Sequence, residues 1–196
     1  MKILFLDTST PQMIVGLLID EKEEILTRDA KLDHGAYTIV YIQKILADHQ
    51  VDVKQLDEIV VGIGPGSYTG IRVSVMLAKM LGSTLNKRVR SISSLAFLTS
   101  GYDEQVFAFN DAKNDAGFAG MYLKAYQVEK DSYKLVSELT EIQNRYLIKL
   151  DQTNFKINLK RVYKNSTIVI DVDLLEPNYL RVTEAERTYD QKSQNK

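Results

Sequence analysis

The residues best placed to do chemistry are the four glycines of Gly62-Ile63-Gly64-Pro65-Gly66-Ser67-Tyr68-Thr69-Gly70-Ile71-Arg72. They follow the apolar run Ile59-Val60-Val61 and precede a stretch of helical periodicity, so the string reads as strand, tight loop, helix. Glycine lets a ligand or another chain segment approach the backbone, Pro65 pushes Gly64 toward an extended conformation, and Ser67 or Thr69 can cap the helix. Free amides at a helix start attract anions, which makes one reading a phosphate-facing loop. The other reading is a packed corner where two elements touch. No Lys follows the last glycine as in a P-loop, and the spacing is not that of the dinucleotide fingerprint.

The elements around this loop can be read in order. Ile3 to Leu6, Met13 to Ile19 and Glu24 to Ala30 are strand candidates separated by polar turns, an antiparallel meander with the third strand near an edge. A helix is expected over 35 to 48 and a second over 68 to 85. In the first, Ala36, Tyr37, Ile39, Val40, Tyr41, Ile42, Ile45, Leu46 and Ala47 cover most of the circumference. In the second, Ile71, Val75, Ala78, Leu81 and Leu85 form one apolar stripe and Val73, Met76, Leu77 and Met80 a second, with Arg72, Lys79 and Ser83 as the polar strip between. A helix lying on the sheet of a monomer needs one stripe. The spare faces, with Tyr37, Tyr41, Ile45, Val73, Met76, Leu77 and Met80 at their centre, are therefore assigned to association with a partner.

Val89 to Ile92 is a further strand, Ser93 to Leu98 begins a short helix, and Gly101-Tyr102-Asp103-Glu104 reads as a hinge. Val106 to Phe109, Gly120 to Val128 and Tyr133 to Thr140 are strand candidates, whereas Glu141 to Ile170 shows little periodicity and few caps. The expected layout is an N-terminal lobe over 1–100 carrying the glycine loop and interface helices, a smaller second lobe over 101–182, and a terminal helix with a frayed tail over 183–196. A meander followed by helix, strand, helix suggests an α/β fold, a mixed sheet covered by helices.

With 25 basic and 26 acidic side chains the net charge is −1, which supplies no strongly positive field for gripping RNA. The absence of Cys excludes a disulfide framework, a thiolate zinc site and a cysteine nucleophile. The apolar run after Met1-Lys2 is too short for a signal-peptide core and no segment approaches a membrane span. A cytoplasmic protein without membrane contact is expected.

The eleven-residue glycine string closely resembles the G-x-G-P-G-S-[FY]-T-G-[IL]-R segment of the bacterial TsaB (YeaZ) family, and Asn110 to Gly117 and Pro177-Asn178-Tyr179-Leu180-Arg181 resemble further elements of it. The resemblance implies an actin-like ATPase, ribonuclease-H-like fold of two lobes, the second one reduced here. It implies a non-catalytic scaffold subunit of the complex that forms N6-threonylcarbamoyladenosine in tRNAs reading codons that begin with A. Family partners would be a second copy of the chain, the catalytic paralogue TsaD and the ATPase TsaE, with tRNA met only through the complex. The family pairs through the same two helices singled out above. No cofactor of its own is implied, although ATP or ADP at a subunit interface fits the family.

Asp7-Thr8-Ser9 resembles a remnant of the phosphate- or metal-facing turn of actin-fold kinases; the competing reading is a β-turn whose side chains bond their own backbone. Asp7, Thr8, Ser9, Gly64, Gly66, Ser67 and Thr69 are accordingly the candidates for a vestigial nucleotide site, and a small actin-fold ATPase or kinase is the alternative function. A metallopeptidase ranks below both. The catalytic relative's H-x-x-x-H pair would start at His34, but position 38 is Thr38 and the other histidine, His49, lies at the far end of the helix. No metal site and no catalytic residue is expected.

Overall fold

The computed structural model describes residues 1–29 and 33–180. The expected tail over 183–196, the end of the third strand at Ala30 and Arg181 lie outside the described residues.

Runs of large apolar residues with no polar alternation suit a strand buried on both faces, and the first sheet is built on two of them. β1 (Lys2–Asp7) pairs antiparallel with β2 (Gln12–Ile19) and parallel with β4 (Glu58–Gly62). The more polar β3 (Lys22–Asp29) closes one edge, as expected. β5 (Arg88–Ile92) lies parallel to β4, and β10 (Thr167–Ile168) closes the other edge of a six-stranded sheet ordered β10-β5-β4-β1-β2-β3.

Strand alternation sends Leu4, Leu6, Ile59 and Val61 to one face and Ile3, Phe5 and Val60 to the other. The first set packs under α1 (His34–Asp48) and α2 (Tyr68–Leu85), through Ile42, Ile45, Leu46, Val75, Leu77 and Ala78. The second packs under α3 (Ser94–Leu98), α5 (Leu159–Asn165) and the inner face of a second sheet. That sheet is four-stranded and ordered β8-β7-β6-β9, with β6 (Gln105–Asp111), β7 (Ala116–Leu123), β8 (Tyr126–Leu135) and β9 (Leu147–Lys149). Each large side chain removed from water here contributes about 1.5–3 kcal/mol, so the doubly covered first sheet is the anchor of the fold.

The structure departs from the sequence reading in the second half. The expected strand over Gly120 to Val128 is two strands joined at Lys124 and Ala125, whose φ angles of 52° and 70° make a tight left-handed turn without any of the usual turn residues. Of the strand expected over Tyr133 to Thr140, only the first three residues are strand; Val136–Glu138 is a 3-10 turn. The stretch after it holds a real cap, in which Thr140 and Gln143 satisfy each other's backbone amides at the start of α4 (Glu141–Arg145). The chain also leaves the second sheet early, returning through α5 and β10 to cover and extend the first, so 159–180 does not belong with the expected second lobe.

Candidate functional site

The glycine corner is where β4 hands over to α2. Ser67 caps the helix, its hydroxyl accepting from the Gly70 amide at 3.3 Å. Several other backbone groups of the loop are taken up by neighbouring elements. The Gly64 amide donates to Ser94 Oγ at 2.9 Å and the Ser67 amide to the Ser9 carbonyl at 2.7 Å. Thr8 Oγ1 donates to the Gly70 carbonyl at 2.7 Å and accepts from the Ser74 amide at 3.1 Å. A Cβ at Gly66 would overlap the Ser9 carbonyl and one at Gly70 the Thr8 carbonyl, so these glycines let two backbones touch. Gly64, with φ of 100° and a cis bond to Pro65, does not take the extended conformation expected of it.

Asp7 sits behind this corner, fully buried. Its Oδ1 accepts from the Ser9 amide at 2.9 Å and the Ser9 hydroxyl at 2.6 Å, the self-bonded turn of the second reading. Oδ2 has no hydrogen-bond partner among the described residues and presses on Gly62. Burial pushes the carboxyl above its ordinary range, while Ser9 and the neighbouring Ser94 hydroxyl oppose the rise.

A cavity of about 560 Å³ opens over the corner, closed on its far side by Asn110, Asp111 and Phe118 of the second sheet. Of the expected nucleotide residues, Ser9, Gly66 and Ser67 line it, whereas Asp7, Thr8, Gly64 and Thr69 do not. Among the described residues no Lys, Arg or His lines it, and Asp111 is the one charged residue that does. The Gly64 and Ser67 amides are thus already engaged, and among the described residues no cationic side chain at the wall would neutralise a phosphate. Asp7, Thr8 and Gly64, expected at a nucleotide site, pack the corner and do not line the cavity.

The outward faces of α1 and α2 have the opposite character. Tyr37, Ile39 and Val40 stand exposed on α1, and Met76, 70% exposed, and Met80, 48% exposed, on α2, with Val73 and Tyr41 half-buried. Arg28 of β3 stacks 3.7 Å over the Tyr37 ring while holding Asp33 through two hydrogen bonds of 2.6 and 2.7 Å, which fixes the start of α1. Two of the expected contact residues are not available. Ile45 is 0% exposed and Leu77 8%, because α1 and α2 share one hydrophobic cluster with the sheet and use part of the second stripe to fill it.

The polar strip of α2 has a use the sequence reading missed. Lys79 donates to the Asp173 carbonyl at 2.7 Å, Ser83 to its carboxylate at 2.8 Å, and Arg72 to the hydroxyls of Tyr179 and Tyr68, both at 2.7 Å. These bonds strap residues 171–180 along the helix, with Leu175 buried beneath and the Asn178 amide on the Ile63 carbonyl at 2.7 Å. Between strap and helix runs a groove of about 550 Å³ lined by Met76, Met80, Leu175 and Pro177. A signal was present in the sequence: three polar residues seven and four apart, on one face of an otherwise apolar helix, must face something.

His34 is the first residue of α1, its Nδ1 buried and without a hydrogen-bond partner among the described residues, and desolvation lowers its pKa below the ordinary 6.5. His49 caps the other end and meets Glu24 at 2.5 Å. Thr38 is buried and bonds back to the His34 carbonyl at 2.6 Å. Among the described residues no three His, Cys, Asp or Glu side chains are placed to share a metal ion, and no helix is long and apolar enough to cross a membrane.

A six-stranded mixed sheet led by an antiparallel meander, two helices over one face and a smaller second sheet beyond the other define an actin-like, ribonuclease-H-like protein. Its glycine corner is closed by its own chain. The family described as TsaD: tRNA N6-adenosine threonylcarbamoyltransferase matches residues 22–187, and the chain belongs to it, on the TsaB (YeaZ) side. It is 32% identical over 127 residues to the tRNA threonylcarbamoyladenosine biosynthesis protein TsaB of Bacillus subtilis (strain 168), covering 62% of this chain and 55% of that one. It is 31% identical over 112 residues to TsaB of Haemophilus influenzae, covering 57% and 46%. The chain spans about half the length of the curated relatives it matches. The solved structure of YeaZ from Pseudomonas aeruginosa superposes with a TM-score of 0.75 at 20% identity, covering 91% of this chain and 100% of that one.

Proposed function

We propose that this chain is a non-catalytic scaffold subunit in the formation of N6-threonylcarbamoyladenosine on tRNA, held by its partners through the outward faces of α1 and α2. Alone it forms a homodimer; in the working complex the same face takes the catalytic paralogue TsaD, and TsaE joins the pair. The tRNA is met through the complex, consistent with a net charge of −1. Any ATP or ADP is held with the help of a neighbouring subunit, in the cytoplasm.

The observation that carries this reading is the apolar patch of Tyr37, Ile39, Val40, Met76 and Met80 on two adjacent helices that already cover a sheet with their other sides. Apolar surface left on adjacent helices gains most by being covered, and methionines adapt to more than one partner. The names of the relatives supply the pathway. The rival reading, an independent actin-fold ATPase, is disfavoured by a corner cavity that no described Lys, Arg or His lines.

The test is a double substitution, Met76→Glu with Met80→Glu. The expected product is a folded monomer that no longer co-elutes with the catalytic subunit and leaves the complex inactive. Unchanged co-elution would overturn the proposal, and Mg²⁺-dependent ATP turnover by the isolated chain would favour the rival.

A further inference from the structure

On the far side of the molecule from the interface helices, Tyr122 of β7 is fully buried and its hydroxyl donates to the Asp131 carboxylate of β8. Asp131 also accepts from the Gln127 amide at 3.1 Å. A tyrosine has one hydroxyl proton, and here it is committed to Asp131. The 3.0 Å contact between Ser93 Oγ and the Tyr122 hydroxyl is therefore a donation from Ser93. Space for the pair is made at Gly120, where a Cβ would overlap the carboxylate and stand 2.7 Å from the Tyr122 hydroxyl. The β7–β8 ladder also shifts register at Ala119, Met121 and Tyr122.

In front of this network lies a cavity of about 310 Å³, between the end of the first sheet and the β7–β8 turn. It shares no lining residue with the cavity over the glycine corner. Its polar walls are Ser91, Ser93, Tyr126, Gln127, Asn165 and Thr167, and among the described residues no charged one lines it.

Counting donors decides what it can hold. Asn165 spends its amide group on the Lys124 and Arg161 carbonyls, at 3.2 and 2.8 Å, so its own carbonyl oxygen is what remains. Ser93 has given its proton to Tyr122, and Gln127 part of its amide to Asp131. The walls thus offer mainly acceptors, together with the two-way hydroxyls of Ser91, Tyr126 and Thr167 and one remaining Gln127 amide hydrogen, and a carboxylate stands behind them. A phosphate or carboxylate would meet no cation there. A primary ammonium, three donors and no acceptor, matches the excess.

We propose that this cavity binds a small amino alcohol, its ammonium group on the oxygens of Ser93, Gln127 and Asn165 and its hydroxyl on Ser91 or Thr167. The volume suits a molecule at the small end of ligand size. This inference does not depend on the proposed function.

The test is a titration of the ¹⁵N-labelled 196-residue chain with ethanolamine, followed by amide NMR, with glycolate and ethylene glycol as anionic and neutral counterparts of similar size. Ethanolamine is expected to shift the Ser93, Ala125 and Gln127 amides saturably, glycolate not at all, and ethylene glycol far more weakly. Gln127 is exposed at the rim and gives one amide hydrogen to Asp131, so the dispersion of each variant's amide spectrum reports first that the fold is kept. Gln127→Glu should tighten ethanolamine about three-fold and Gln127→Arg should abolish binding. Tyr122→Phe, which returns the Ser93 proton to the cavity, should weaken it; if that variant does not fold, the Gln127 pair decides. No saturable shift with ethanolamine, equal shifts with ethylene glycol, or indifference to both Gln127 changes would overturn the proposal.

Discussion

One helix, α2, carries two surfaces of opposite character. At its start, Thr8, Ser9, Ser67 and Ser94 engage several of the loop's polar groups, and glycines let the backbones meet. Two turns on, Met76 and Met80 face outward beside the exposed side chains of α1. The corner resembles a ligand loop yet is consumed by packing, whereas the face with no chemical motif is the one left uncovered. A motif marks where backbones come close; what the fold leaves unsatisfied marks where something else binds.

The hardest way to break that contrast is to add one carbon to the corner. Gly70→Ala places a methyl group against the backbone carbonyl of Thr8, which cannot move aside as a flexible side chain would. Urea unfolding should register a loss of about 3 kcal/mol, the upper range for overpacking a well-filled site. A loss below about 1 kcal/mol would mean that the corner has room, and the phosphate reading would return.

The outer face should respond the other way round. Met76→Glu with Met80→Glu removes no buried contact of comparable size, so folding stability should change by no more than about 0.5 kcal/mol per site. Sedimentation should instead show loss of the dimer. Unfolding of this variant would place the two methionines in the chain's own core and remove the contrast altogether.

How far the sequence carried this contrast depends on what each residue's neighbours contribute. The meander, the limits of α2 and the Ser67 cap were legible because they follow from apolar runs, periodicity and a helix-starting hydroxyl within one segment. Ile45 and Leu77 were assigned to the surface because a helical wheel shows how wide an apolar face is, not how much of it a second helix takes. The hairpin at Lys124 and Ala125 was hidden because its left-handed turn is imposed by pairing of the strands and not by turn residues. The strap over Arg72, Lys79 and Ser83 joins residues 90 to 107 apart, so the polar strip shows that something faces the helix but not which segment.

Asp7 separates the two readings of the corner by pH. Its folded carboxyl holds its proton above the ordinary 3.8, so ionising it costs stability. The folded state binds more protons than the unfolded one as pH rises from 3.8 through the folded value; stability therefore falls across that window and stays lower above it. Asp7→Asn keeps an oxygen for the Ser9 amide and hydroxyl and removes the charge. Thermal unfolding should show the variant to be the more stable chain at pH 7, with the gain vanishing below pH 3.8. An Asp7 retained for metal-bound phosphate would instead tighten a nucleotide at pH 7, and the variant would lose that binding.

The smallest effect is expected at His34, where the closed corner meets the open face: it lies beside Thr10 on one side and opens the helix that carries Tyr37 on the other. Desolvation lowers its folded pKa below 6.5, against a bond to the Thr10 backbone and the pull of Asp33, with Arg28 adding to the lowering. The unfolded chain then binds the extra proton first. The stabilising contribution of neutral His34 is complete above pH 6.5 and is lost as pH falls from there through the folded value. His34→Gln keeps a donor for Thr10 and cannot titrate. Urea midpoints of the two chains should run parallel above pH 7 and separate between pH 6.5 and 5, with the wild type losing ground, since all other titrating groups are common to both and cancel in the difference. Parallel midpoints throughout would mean that His34 is as solvated in the folded chain as in the unfolded one, and that the open face extends past the first turn of α1 to Thr10.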